Sequence, residues 1–140
     1  MSQQNVELVR NAFHALGTGG IEAALPFFAP DVVWYTTDRW LEGRAYRGHD
    51  GMRQLFAAFS ENFDGWAYEL EDIRDADNRV VAHTYMTGRI KNSRQSVGQS
   101  LGVVVSDFRR ATFGEVRVFP TWHQTLEVGG LVDGDEADPS

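Results

Sequence analysis

The chain has 140 residues, 42% hydrophobic and 24% charged, which suits a single globular domain and excludes a disordered chain. With no cysteine, disulfides, thiolate nucleophiles and cysteine-held zinc or iron–sulfur sites are excluded. A formal net charge of −7, with no Lys/Arg run longer than Arg109-Arg110, argues against nucleic-acid binding, and no apolar run approaches a membrane span.

The opening residues lack a basic start followed by an apolar core, so no secretion signal is expected and the cytoplasm is the default location. Val6, Val9, Phe13 and Leu16 recur at steps of three or four and predict an amphipathic helix over 3–16, stopped by Gly17-Thr18-Gly19-Gly20. A second short helix follows with Ile21, Leu25 and Phe28 on one side, kinked or shortened by Pro26. Pro30-Asp31 turns the chain into a β-branched and aromatic strand over 32–37. Residues 38–50 read as a long loop carrying two aromatics, Trp40 and Tyr46, in a place suited to a lid. Asp50 then stands as the cap of a third helix bearing Met52, Leu55, Phe56, Phe59 and Phe63.

From residue 66 the pattern is of strands: 66–74, 79–89, a long 97–110 with Gly98 and Gly102 marking bulges, and 115–119. A terminal helical turn over 122–128 is ended by Gly129-Gly130. The last eight residues hold four acids and no base, so 133–140 is expected to be an acidic disordered tail behind one domain, 1–132. Helices first and an antiparallel meander after give an α+β class, with helices on one face of a curved sheet.

Five segments in order carry a resemblance: Phe27-Phe28-Ala29-Pro30-Asp31-Val32-Val33-Trp34, then Tyr46-Arg47-Gly48-His49-Asp50-Gly51-Met52. Asn78-Arg79-Val80-Val81, Gly114-Glu115-Val116-Arg117-Val118-Phe119 and Thr125-Leu126-Glu127-Val128-Gly129-Gly130-Leu131 complete the set. The chain resembles the nuclear transport factor 2-like superfamily, in particular its SnoaL-like, polyketide cyclase-like branch. The resemblance implies a cone of three helices wrapped by a bent sheet, a pocket at its open end, and dimers formed through the sheet. It spans cyclases, isomerases, dehydratases, hydrolases and proteins that only bind, so it does not settle a reaction.

Against isomerase-like members, Tyr35 stands at the position of the carboxylate base, Ala12 at that of the phenol and Ser106 at that of the acid. A one-residue slip at a bulge would move Asp107 into the third position. Ordinary ketosteroid isomerisation is therefore not expected, since a phenol with a pKa of about 10 donates a hydrogen bond more readily than it takes a proton. Epoxide hydrolase-like members imply an Asp-Arg-Asp arrangement; Asp107 and Arg109 alternate on one strand here, without an evident second acid. The candidate catalytic residues are Tyr35, Asp38, His83, Asp107 and Arg117.

Alternation puts Val80, Ala82, Thr84 and Met86 inward and Val81, His83 and Tyr85 outward, on the face expected to form a homodimer. The expected ligand is a small, mostly apolar molecule. Tyr35 is its donor, Met52, Phe56, Ala82, Thr84, Met86 and Phe108 form the walls, and Trp40 closes the mouth. Arg117 faces either inward, toward an anion, or out to solvent. The four histidines have no paired ligand spacing, so no metal is expected, nor any cofactor. Two classes stay open: a cofactor-independent enzyme on an apolar or polycyclic substrate, and a non-catalytic ligand-binding or assembly module.

Overall fold

Helix α1 (Ser2–Ala24) lays Val6, Val9, Ala12 and Leu16 along one buried stripe. A computed structural model describes residues 2–36 and 45–131; Asp38, Trp40 and the acidic tail lie outside the described residues. The first helix runs past Gly17 and breaks only at Gly20, at φ 74 and ψ −167, a backbone that glycine adopts without a Cβ penalty. The glycine-rich stop is thus one residue, not four. After a 3-10 turn at Leu25–Phe27, strand β1 (Phe28–Tyr35) starts earlier than expected. It tolerates Pro30 because its pairing shifts register between Phe28 and Val33.

Part of the expected long loop is a strand. β2 (Ala45–Arg47) pairs antiparallel with β1 and buries Tyr46, which therefore belongs to the core and not to a lid. Helix α2 (Gly48–Asn62) begins before Asp50, with Arg47 at the cap position and no side-chain cap bond. Asp50 in its first turn instead accepts from Arg53 Nη1 at 2.9 Å, and Arg53 Nε reaches Glu22 of α1 at 2.8 Å.

Strands β3 (Phe63–Ala76), β4 (Arg79–Ile90), β5 (Ser96–Arg109) and β6 (Thr112–Phe119) complete one six-stranded sheet in the order β2-β1-β6-β5-β4-β3. Every neighbouring pair is antiparallel except β1 with β6. Those two are joined by no hairpin, so nothing forces them to oppose, and the sheet is mixed. The expected bulges at Gly98 and Gly102 are absent: β5 keeps unbroken register with β4 there. The two glycines make room instead, Gly98 for the Tyr85 ring and Gly102 for Thr125. The irregularity in β5 is at Asp107, whose φ is 61.

The two faces of the sheet differ. Val80, Ala82, Thr84 and Met86 are fully buried on the inner face, and Val80, Ala82 and Met86 join Phe28, Trp34 and Phe56 in the main core. On the outer face, helix α3 (Trp122–Gly129) covers Val81 and Val104 with Leu126. Val81 is therefore unavailable to a second chain, and His83 stacks on Trp122 at 5.0 Å and 19°. Of the expected dimer face only Tyr85 is left outside this helix-covered cluster. Thr121 Oγ1 accepts from Gln124 N–H at 3.1 Å to start α3, and Gly130, at φ 78, ends it.

Candidate functional site

Pairing of β5 with β6 ends at Gly102–Phe119, so residues 96–101 of β5 outrun their neighbour and the inner wall there is β3, β4 and β5 alone. Register sets Tyr68, Met86 and Gln99 in one cross-strand row of this wall, with Leu70, Thr84 and Leu101 in the next. Facing the wall, α2 contributes Met52, Phe56 and Phe59, all buried. Aromatic rings close the space between them: Phe56 and Trp66 lie 5.2 Å apart, Phe59 and Trp66 5.7 Å, Trp34 and Phe56 5.9 Å. The apolar hollow bordered by Ala12, Leu16, Trp34 and Val103 is about 20 Å³, room for about one water.

Polar groups on the inner face are few. Thr84 Oγ1 donates to Leu101 O at 3.1 Å and is satisfied. Tyr68 packs edge-on against Phe13 and Trp66, and burial pushes its phenol well above the usual tyrosine range, so it stays protonated. Gln99 Nε2 is shielded from solvent and has no hydrogen-bond partner. Among the described residues, none of the fully buried side chains is a carboxylate, a histidine or an arginine.

The expected site residues fall into separate places. Met52, Phe56, Ala82, Thr84 and Met86 meet in the interior. Tyr35 does not join them. Its neighbour Trp34 takes the inward position beside Val116, while Tyr35 pairs with Arg117 on the outer face. The Arg117 guanidinium sits 4.5 Å from the Tyr35 ring centre, and its Nε donates to Glu115 at 3.0 Å. Arg117 thus takes the outward alternative. His83 lies outside as well, with Nδ1 3.8 Å from Glu71. Ala12 borders the hollow, whereas Ser106 donates to Glu115 at 3.2 Å, away from the interior.

Asp107 and Phe108 stand at the other end of the strands. They border an open, polar cleft of about 750 Å³ with Asn5, Asn78, Arg79 and Arg110, and Phe108 also packs against the main core, its ring 6.2 Å from that of Phe113. The second acid missing from the sequence reading is Asp31: Arg109 Nη1 donates to it at 2.7 Å, and Nε donates to Asp107 at 3.1 Å. A further bond joins Arg109 Nη2 to Asp107. Arg109 and Asp107 are about half exposed and Asp31 more so, and Arg109 holds the Asp107 carboxyl below its usual range. Such a carboxylate is a weak base at neutral pH, the reverse of what general acid–base work needs.

Sequence reasoning passed over Gln99 and Tyr68. The signal was available: Val97, Gln99, Leu101, Val103 and Val105 share one parity, and Gln99 is the one polar member of that stripe.

The SnoaL-like domain profile matches residues 9–134. The chain belongs to the SnoaL-like domain family. Solved structures agree on the fold. One is TerC co-crystallised with polyporic acid, 15% identical, covering 91% of this chain and 98% of its own, with a TM-score of 0.74. A second is a nuclear transport factor 2-like protein from Burkholderia xenovorans LB400, 23% identical over 95% of this chain and 98% of that one, TM-score 0.72. A third, from Catenulispora acidiphila DSM 44928, has a ketosteroid isomerase-like fold and was solved in complex with trimethylamine; it is 15% identical, covers 90% and 94%, and has a TM-score of 0.71. No curated protein sequence matches the chain. No described helix is long and apolar enough to cross a membrane.

Proposed function

We propose that this SnoaL-like protein binds a small, mostly apolar molecule in the interior of its cone, at the end where β5 outruns β6. Met52, Phe56, Trp66 and Met86 supply the apolar contact. The carrying observation is an interior rich in aromatic surface whose fully buried described side chains include no carboxylate, histidine or arginine. Binding by shape and hydrogen bonds fits this lining better than proton transfer does. TerC with polyporic acid and the Catenulispora protein with trimethylamine support a small-molecule role. On this reading the non-catalytic class is preferred, and ordinary ketosteroid isomerisation is negligible.

The three methionines give a direct test, because Met52 and Met86 are both fully buried in the interior. Methyl NMR spectra recorded during a titration with 2-naphthol should show saturable shifts at Met52 and Met86 and none at Met1. Shifts confined to Met1, or none at all, would defeat the reading. The proposal also includes a cytoplasmic homodimer paired through the outer sheet face, with contact moved from the covered Val81 toward Tyr85. A monomer mass by light scattering at micromolar concentrations would remove that part.

A further inference from the structure

Gln99 is a partly buried polar residue on the otherwise apolar inward stripe of β5. Its row neighbours are Met86 on β4 and, beyond it, Tyr68 on β3, and the same inward stripe of β5 holds Val97 and Leu101. Its Nε2 is closed off from water and bonds to nothing in the structure. An amide nitrogen withdrawn from water without a partner destabilises the free protein, whereas an apolar side chain of similar size would not. The cost falls on the wall where the sheet is only three strands wide.

We infer that Gln99 is the residue that selects the ligand's chemistry: it binds a carbonyl or hydroxyl oxygen carried on an apolar, ring-containing molecule. The inference rests on the interior site proposed above and adds the functional group to it. A bare hydrocarbon entering the same space leaves the amide unpaired, while an oxygenated one pairs it inside an otherwise apolar wall. Discrimination then comes from the unpaired state being costly, more than from the new bond being strong. Thr84 does not compete for the role, since its hydroxyl is already donated to Leu101.

Gln99→Leu and Gln99→Met, both close in size and apolar, test this with two readouts of opposite sign. In the free protein each should raise the melting temperature by a few degrees, because a shielded, unpaired amide nitrogen is gone. In binding, wild type should prefer 2-naphthol to naphthalene, and each variant should lose about 3- to 10-fold in 2-naphthol affinity while keeping naphthalene within about twofold. If both probes bind in the interior and the variants treat them like wild type, this inference is overturned and the interior site stands. If neither probe shifts the Met52 and Met86 methyls, the interior site itself falls and takes the inference with it. A lowered melting temperature in both variants would show that Gln99 has a structural partner, and would also overturn the assignment.

Discussion

Helix α3 rests on the sheet so closely that one methyl group should lift it. An alanine Cβ at position 102 would stand 2.5 Å from Thr125 Cβ and 2.9 Å from Thr125 Cγ2, and nearer still to Oγ1. The strand cannot retreat, because Gly102 is paired to His83 on one side and Phe119 on the other. Thr125 is fully buried, and its hydroxyl donates to Thr121 O at 2.8 Å, so rotating it away breaks that bond. The helix therefore stays under strain, at roughly 1–3 kcal/mol for overpacking, or leaves. Leaving uncovers Leu126 and the valines beneath it, and exposing one such side chain costs about 1.5–3 kcal/mol. The smaller of the two sets the effect, so Gly102→Ala should lose about 1–3 kcal/mol, a fall of roughly 3–12 °C in Tm. Urea unfolding followed by tryptophan fluorescence measures it. Thr125→Gly removes all three clashing atoms, so in the double variant the two losses should fall short of additivity by about 1 kcal/mol or more. A Gly102→Ala protein within about 0.5 kcal/mol of wild type, or strict additivity, would refute the close-contact argument.

Phe56→Ala should destabilise by about 3–5 kcal/mol, because its ring touches Trp34, Phe59 and Trp66 and no neighbour can fill the space; the same urea titration reads it. Arg109→Ala should raise the titration point of Asp107 toward the ordinary 3.8, followed by carboxyl-carbon NMR. With the folded value depressed, the pairing contributes above the unfolded value near 3.8 and is lost as pH falls through the lower folded value; an unmoved Asp107 would disprove the pairing. The Tyr68 phenol should stay protonated above the ordinary value of 10.0, and Tyr68→Phe should leave the phenolate absorbance of the folded protein just above pH 10 unchanged. Since the unfolded chain releases that proton near 10.0 and the folded one holds it, stability should decline as pH rises beyond that point.

What was legible in the sequence was whatever depends on periodicity. The stripe of Val6, Val9 and Leu16, the inward set Val80 to Met86 and the terminal Gly130 each follow from a repeat of 3.6 or 2 or from a backbone only glycine favours. What depends on a distant neighbour was not. Tyr46 looked exposed because β2 is three residues long, and only its pairing with β1 buries it. Val81 looked available because nothing local says that α3 folds back over it. The glycines of β5 read as bulges, the usual reason for glycine in a strand, when close approach by Tyr85 and Thr125 was the reason here.

The site was harder to read for a geometric reason. Successive strand residues point to opposite faces, so placing Tyr35 at the base position of an isomerase decides nothing until the face is known. Trp34 occupies the inward position, and with it the space in which a base would act; the neighbouring phenol is left against Arg117 on the other side of the sheet. The same parity argument separates Ser106 from the interior. At Asp107 the positive φ turns the carboxylate toward Arg109 across the bare Gly114 backbone, where the Asp31 carboxylate completes an exposed ion cluster. Charged side chains have thus settled where water solvates them, and the described interior keeps aromatic rings, the phenols of Tyr46 and Tyr68 and the shielded amide nitrogen of Gln99. On the binding reading proposed above, an interior built this way would recognise an oxygen atom on an apolar ligand through the one amide nitrogen that its own fold leaves unpaired.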